Sequence, residues 1–244
     1  MINAFWRNWK NKSSIEKKAI LSINRVINFL LAHVPKDELI SIYIKGSFIT
    51  REMNENSDVD VVPILKDNDT LRKLKIVRDE NKEMLRPSEI LPISLTELKK
   101  NKNSKLHGKL KGRPDTFLRD LEHFKLIYGK KISKTDYPMR TLNKMFYNAL
   151  TGIKNNTIPL YKKEKFGFSQ LIKQIFWIAH FEQKMLGKNP PRTWKGLNKF
   201  IKDKEHIIHK AYYFRMHPTK NKKIRKKFIN SSMKYVDSLL REYN

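Results

Sequence analysis

Gly46-Ser47 and, after ten intervening residues, Asp58-Val59-Asp60 have the types and spacing for phosphate chemistry. Residues i and i+2 of a β-strand face the same way, so Asp58 and Asp60 project side by side from the apolar run that ends at Leu65. Two adjacent carboxylates repel each other and are best tolerated with a cation between them. Gly46 lets the backbone approach a ligand closely, and the N–H groups of such a turn can hold a phosphate. A phosphate holder beside a carboxylate pair of this kind equips a chain for phosphoryl or nucleotidyl transfer with Mg²⁺. Other chemistries find less support. There is no cysteine for a thiolate metal site and no GxxxxGK[ST] loop. His206 and His209 stand three apart, with no carboxylate at metal-site spacing.

The segment Gly46-Ser47-x10-Asp58-x-Asp60, with Ser57 before it and apolar residues flanking both acids, resembles the signature of the DNA polymerase beta-like nucleotidyltransferase superfamily. The likeness is strongest to its small bacterial and archaeal members, and the surrounding pattern extends it over roughly 15–132. The resemblance implies that Asp58 and Asp60 hold two Mg²⁺ or Mn²⁺ ions, one on a nucleoside triphosphate and one on the acceptor hydroxyl. It also implies that Gly46 and Ser47 hold the β- and γ-phosphates, and that a third carboxylate sits on a neighbouring strand. Glu89, opening the run Ile90-Leu91-Pro92-Ile93, is the expected third acid, as metal ligand or general base; Glu97 is its rival if the register differs. Arg51, one turn past Ser47, is within reach of a phosphate. Lys45 reads as a strand-edge charge.

The elements that must position these residues follow from pattern. Ser13-x-x-Glu16 is a capping box opening an amphipathic helix over 14–33 that Pro35 ends. Strands are expected over 39–45, 58–65, 89–95 and 125–129, with Pro92 placing the third at an edge or irregular position. Helices are expected over 48–53, 68–84, 117–124 and, capped by Thr96, a short stretch through Leu98. The stretch 99–113 is polar and basic and reads as a surface loop. From Thr135 onward helical patterns dominate: 139–153, 168–187, 193–203, 204–216 and 221–243. The fold class is therefore an α/β (α+β) nucleotidyltransferase domain with a small mixed sheet over 1–133, then a basic all-α domain over 134–244. The helical part resembles the HEPN-like domain that accompanies small nucleotidyltransferases. Arg119-x3-His123 and Arg215-x-His217 both miss the Arg-to-His spacing of HEPN ribonucleases, so RNA cleavage is not expected.

The chain carries 52 Lys and Arg against 24 Asp and Glu, a formal net charge of +28. The excess is uneven: residues 1–133 hold 27 basic and 17 acidic residues, the remainder 25 and 7. A surface of this kind attracts polyanions through counterion release. In the run Lys220 to Lys227, Lys222, Lys223, Arg225, Lys226 and Lys227 are candidate nucleic-acid contacts, with Trp194, Tyr212, Tyr213 and Phe214 upstream for stacking. A Lys-rich source genome would leave the same charge without function. No apolar run is long enough for a transmembrane helix and nothing near Met1 reads as a signal peptide, so a cytoplasmic enzyme is expected. The functional expectation is transfer of a nucleoside monophosphate, with ATP as the expected NTP, to an acceptor hydroxyl on RNA such as a tRNA 3′ end. A protein AMP-transferase like the antitoxin relatives is the alternative, as is a non-catalytic RNA-binding protein that kept the fold. Aminoglycosides rank low as acceptors, being polycations that a +28 protein would repel. Oligomeric state is not legible.

Overall fold

A computed structural model describes residues 2–55, 57–107 and 112–243. Two compact units divide the chain, 1–139 and 140–244.

The first unit is built on one small mixed sheet. The N-terminal segment turns through Phe5–Asn8 and enters α1, Ser14–His33. The Ser13 hydroxyl accepts from the Glu16 N–H and the Glu16 carboxylate accepts from the Ser13 N–H, closing the capping box. β1, Leu39–Lys45, leads through a single turn of helix, α2, Ser47–Thr50, toward β2, Val59–Leu65. After β2 come α3, Asn68–Glu80, and α4, Lys82–Leu85. The third strand arrives in two pieces, β3, Ser88–Ile90, and β4, Ile93–Ser94. Both pair with β2 in parallel, Asp60 opposite Glu89 and Ile64 opposite Ile93, so one register runs across the break. Pro92 lies in the break, where it has no N–H to give the ladder, and the broken strand sits at the sheet edge.

α5, Leu95–Lys100, follows, capped by Ser94 rather than by Thr96. Ser94 and Glu97 form a second capping box, a pattern as readable as the first but shifted two residues from the expected cap. Of the expected loop over 99–113, residues 108–111 lie outside the described residues. α6, Pro114–Asp120, and β5, Lys125–Gly129, complete the unit; the sheet order is β3-β2-β1-β5, with β4 also on β2. Gly129 takes φ +81°, and a Cβ there would stand 2.1 Å from the Ile40 carbonyl oxygen, so only glycine closes this edge. Strand alternation sends Ile42, Ile44, Val59, Val61 and Ile90 into one core with α1, and Tyr43, Val62, Ile64 and Ile93 into another with α5 and α6.

The second unit is all-helical: α7, Leu142–Gly152; α8, Ile158–Lys162; α9, Phe168–Met185; α10, Trp194–Phe200; α11, Ile207–Met216; α12, Lys222–Glu242. Between α7 and α8 the helix widens into a π turn over Ile153–Thr157. Pro159 follows directly; it can donate no bond to the preceding turn and its ring crowds that turn's carbonyls, which a wider turn relieves. The stripe Phe168, Leu171, Ile172, Ile175, Phe176 and Ala179 on α9 forms the centre of this unit's core, as its spacing predicts. No described helix is long and apolar enough to cross a membrane.

Candidate active site

Three carboxylates converge at one end of the sheet. Asp58 is exposed just ahead of β2, Asp60 is half-buried within it, and Glu89 is on β3; one oxygen from each lies within 4.8 Å of the others. No other group of three or more His, Asp and Glu among the described residues has metal-ligand geometry. The register explains the convergence. Asp60 pairs with Lys45 across β1 and with Glu89 across β3, which puts Lys45, Asp60 and Glu89 in one row across three strands. Asp60 shares its sheet face with Val62 and Ile64, while Val59 and Val61 anchor β2 in the opposite core.

The site is electrostatically frustrated. Partial desolvation raises the Glu89 pKa, and the Asp60 and Asp58 charges raise it further; Lys45 and Arg78 act in the opposite sense. Glu89 is exposed by surface area, but its carboxyl is partly desolvated where it meets Asp60 and Asp58, and that desolvation is the larger cause, with the two like charges adding to it. The Lys45 Nζ stands 3.7 Å from Asp60 Oδ2. Arg78 is less free, since its Nη1 donates to the Ile90 carbonyl and its Nε and Nη2 donate to Asp79.

Gly46 lies close against Asp60. It adopts φ +85° and ψ −158°, a region that L side chains rarely enter, and a Cβ there would stand 3.0 Å from Asp60 Oδ2. Both the conformation and the close approach therefore require glycine. The next residue but one, Phe48, is fully buried and fixes the turn from behind. Its ring packs against Phe5, Trp6 and Trp9 at 6.0, 5.9 and 4.9 Å. Ser47 remains half-buried between the two. On the other side of the loop, the Ser57 hydroxyl accepts from the Asn54 N–H and donates to Asn54 Oδ1, tightening the approach to Asp58.

Arg51, expected on a phosphate, is held elsewhere. Its Nε and Nη2 donate to the two Glu16 oxygens at 2.7 and 3.0 Å. Nη1 and Nη2 also donate to the Lys10 and Asn11 carbonyls, and the guanidinium lies 5.0 Å from the Trp9 ring centre. It straps the N-terminal segment to the end of α2. Glu97, the rival third acid, is 1 % exposed and caps α5, with the Ser104 N–H and His107 as further partners, so it takes no part in the trio. Lys45 is the residue the sequence reading passed over. Its signal was present: in a tight antiparallel pair, the last residue before Gly46 must face the early part of β2.

The basic run lies at the start of α12. Lys222, Lys223, Lys226 and Lys227 are exposed. Arg225 differs from them: its Nε donates to the Thr219 carbonyl at 2.7 Å and its guanidinium lies 5.0 Å from the Phe168 ring centre, so it braces its own unit. His206, which lacked a carboxylate partner in sequence, finds Glu182 of α9 at 2.8 Å.

The first unit is a small mixed sheet with helices on both faces, and a helical unit follows it in the chain. This fold is shared with spectinomycin adenyltransferase AAD(9) from Enterococcus faecialis, solved with ATP and spectinomycin. The two superpose with a TM-score of 0.59 over 91% of this chain and 99% of that one, at 16% sequence identity. No protein-family model matches this sequence, nor does any curated protein.

Proposed function

We propose that the protein is a metal-dependent nucleotidyltransferase that moves AMP from ATP to an acceptor hydroxyl. The observation that carries this reading is the trio Asp58, Asp60 and Glu89, converged within 4.8 Å, with Gly46 close against Asp60. The trio suits a hard divalent cation: all its donors are carboxylate oxygens, and their mutual repulsion calls for positive charge. Mg²⁺ or Mn²⁺ bound there would neutralise triphosphate charge and make the acceptor hydroxyl easier to ionise. Asp58 and Asp60 are the assigned ligands, and two ions are the number we assign. Gly46 offers its backbone, and Ser47 its hydroxyl, to the β- and γ-phosphates. The acceptor oxygen bonds to the α-phosphorus, the bond to the bridging oxygen breaks, and pyrophosphate leaves with the electron pair. Glu89, whose affinity for a proton is raised, either completes the ligand set or takes the hydroxyl proton. Arg51 is assigned to structure.

Two acceptors have separate support. The charge of +28 and the lysines at the start of α12 favour an anionic acceptor, and an RNA 3′ end such as that of tRNA is our first reading. Similarity over nearly the whole of a chain solved with spectinomycin favours a small polyhydroxylated acceptor as the second. ATP and Mg²⁺ are both plentiful in the cytoplasm, where either reaction would run. Incubation with α-labelled ATP, Mg²⁺ and either tRNA or spectinomycin separates the readings by which product carries label. Absence of label transfer to any acceptor, with no pyrophosphate release, would overturn the reading as an enzyme.

A further inference from the structure

Lys45 is set into the site by the sheet itself. β1 and β2 pair so that Lys45 faces Asp60, and β2 and β3 pair so that Asp60 faces Glu89. A cation thus occupies the third place in a row whose other two members are acids. Its Nζ–Oδ2 separation of 3.7 Å is an ion pair but too long for a hydrogen bond, so parting it breaks no directional bond. The Lys45 side chain is 32 % exposed and stands beside the turn assigned to phosphates, whereas Asp60 is 15 % exposed and fixed in its strand. Lysine suits a change of partner, being a point charge on a flexible stem. Arg51 and Arg78, by contrast, are committed, the first to Glu16, Lys10 and Asn11 and the second to Asp79 and Ile90.

Resting on the metal-site reading above, we propose that Lys45 is a nucleotide-binding residue that exchanges partners: it balances Asp60 until a divalent ion binds, then turns its charge to the triphosphate. Two opposite consequences follow. Lys45 competes with the ion for Asp60 in the nucleotide-free protein, yet it assists the nucleotide once the ion is in place. A residue that merely braced the strand would not move these two affinities in opposite directions.

The test compares the full-length wild type with Lys45→Met, which keeps the stem and removes the charge. Calorimetry at low ionic strength reads Mn²⁺ binding to the nucleotide-free protein, and steady-state assays read the KM for ATP. An ion pair this exposed shifts an equilibrium by up to about fivefold. Lys45→Met is therefore expected to bind Mn²⁺ up to about fivefold more tightly, with the KM for ATP raised by a similar factor. Lys45→Arg should restore both values toward wild type. If Lys45→Met does not fold, Lys45→Gln carries the same comparison. Mn²⁺ affinity that is unchanged or weaker in the charge-free variant overturns the proposal for Lys45 alone. A wild type that binds no Mn²⁺ at all overturns the metal-site reading on which it rests.

Discussion

Asp60 holds the middle place in the row Lys45, Asp60, Glu89. It meets Lys45 across one strand, Glu89 across the other, and the Gly46 turn above. Replacing it with Asn removes a ligand charge without changing shape. We expect Asp60→Asn and Asp58→Asn each to lower kcat/KM for nucleotidyl transfer by about a thousandfold or more, the loss of several kcal/mol of charge stabilisation in the transition state. The same variants should lose the rise in melting temperature that millimolar Mg²⁺ gives the wild type, since ligand binding to the folded state stabilises it. A Mg²⁺-induced shift of wild-type size in Asp60→Asn would remove that residue from the metal site. Gly46→Ala tests the turn itself. A residue at φ +85° with its Cβ 3.0 Å from Asp60 Oδ2 should cost about 1–3 kcal/mol of stability and push Asp60 out of line. Denaturant unfolding and transfer assays should therefore both register it.

At the scale of elements, what was legible depended on sequence distance. The capping box of α1, the hydrophobic stripe of α9 and the alternation of β1 and β2 are local patterns, and each produced the element it predicts. The position of Glu89 opposite Asp60 was also legible, since an acid opening an apolar run beside a neighbouring strand is placed by strand register. Arg51 was not, because its partner Glu16 is 35 residues away and appears in the sequence only as a helix cap. The placement of Arg225 was hidden for the same reason: nothing in a Lys-rich run marks a cation that folds back on Phe168. The Glu16–Arg51 strap has its own consequence. The Arg51 hydrogen bonds hold the Glu16 pKa below its ordinary value of 4.5, with the Ser13 N–H adding to the effect. The folded state therefore favours the ionised acid more than the unfolded chain does. This contribution to stability is complete above about pH 4.5 and is lost as pH falls through the lowered folded value. Arg51→Ala should accordingly destabilise the protein more at pH 7 than at pH 3, as measured by urea unfolding at both. An equal cost at the two pH values would mean that Arg51 acts through its stacking on Trp9 instead.

Across the whole molecule, charge is the property that sequence reports most directly and interprets least. Seven acids serve the residues from 134 onward, and four of them, Glu182, Asp203, Glu205 and Glu242, line one pocket of about 300 Å³ with His206 and Tyr235. The acids of the second unit are thus concentrated, and the start of α12 has none in its first turn. Lysines at the positive end of a helix dipole are unfavourable on their own account, so an anionic partner would relieve them. Lys222, Lys223, Lys226 and Lys227 are exposed there, whereas Arg225 is tied to Thr219. Changing the four lysines to Ala should weaken tRNA binding across sequences while leaving the trio and its chemistry intact. Each lost phosphate contact lowers the slope of log K against log salt by about 0.7–0.9, so the quadruple variant should lose up to about three units of slope. Arg225→Ala should instead lower the melting temperature with little change in slope. Anisotropy titrations at several salt concentrations distinguish the outcomes. An unchanged slope in the quadruple variant would detach the charge of α12 from nucleic acid, and would leave the small polyhydroxylated compound as the acceptor to pursue.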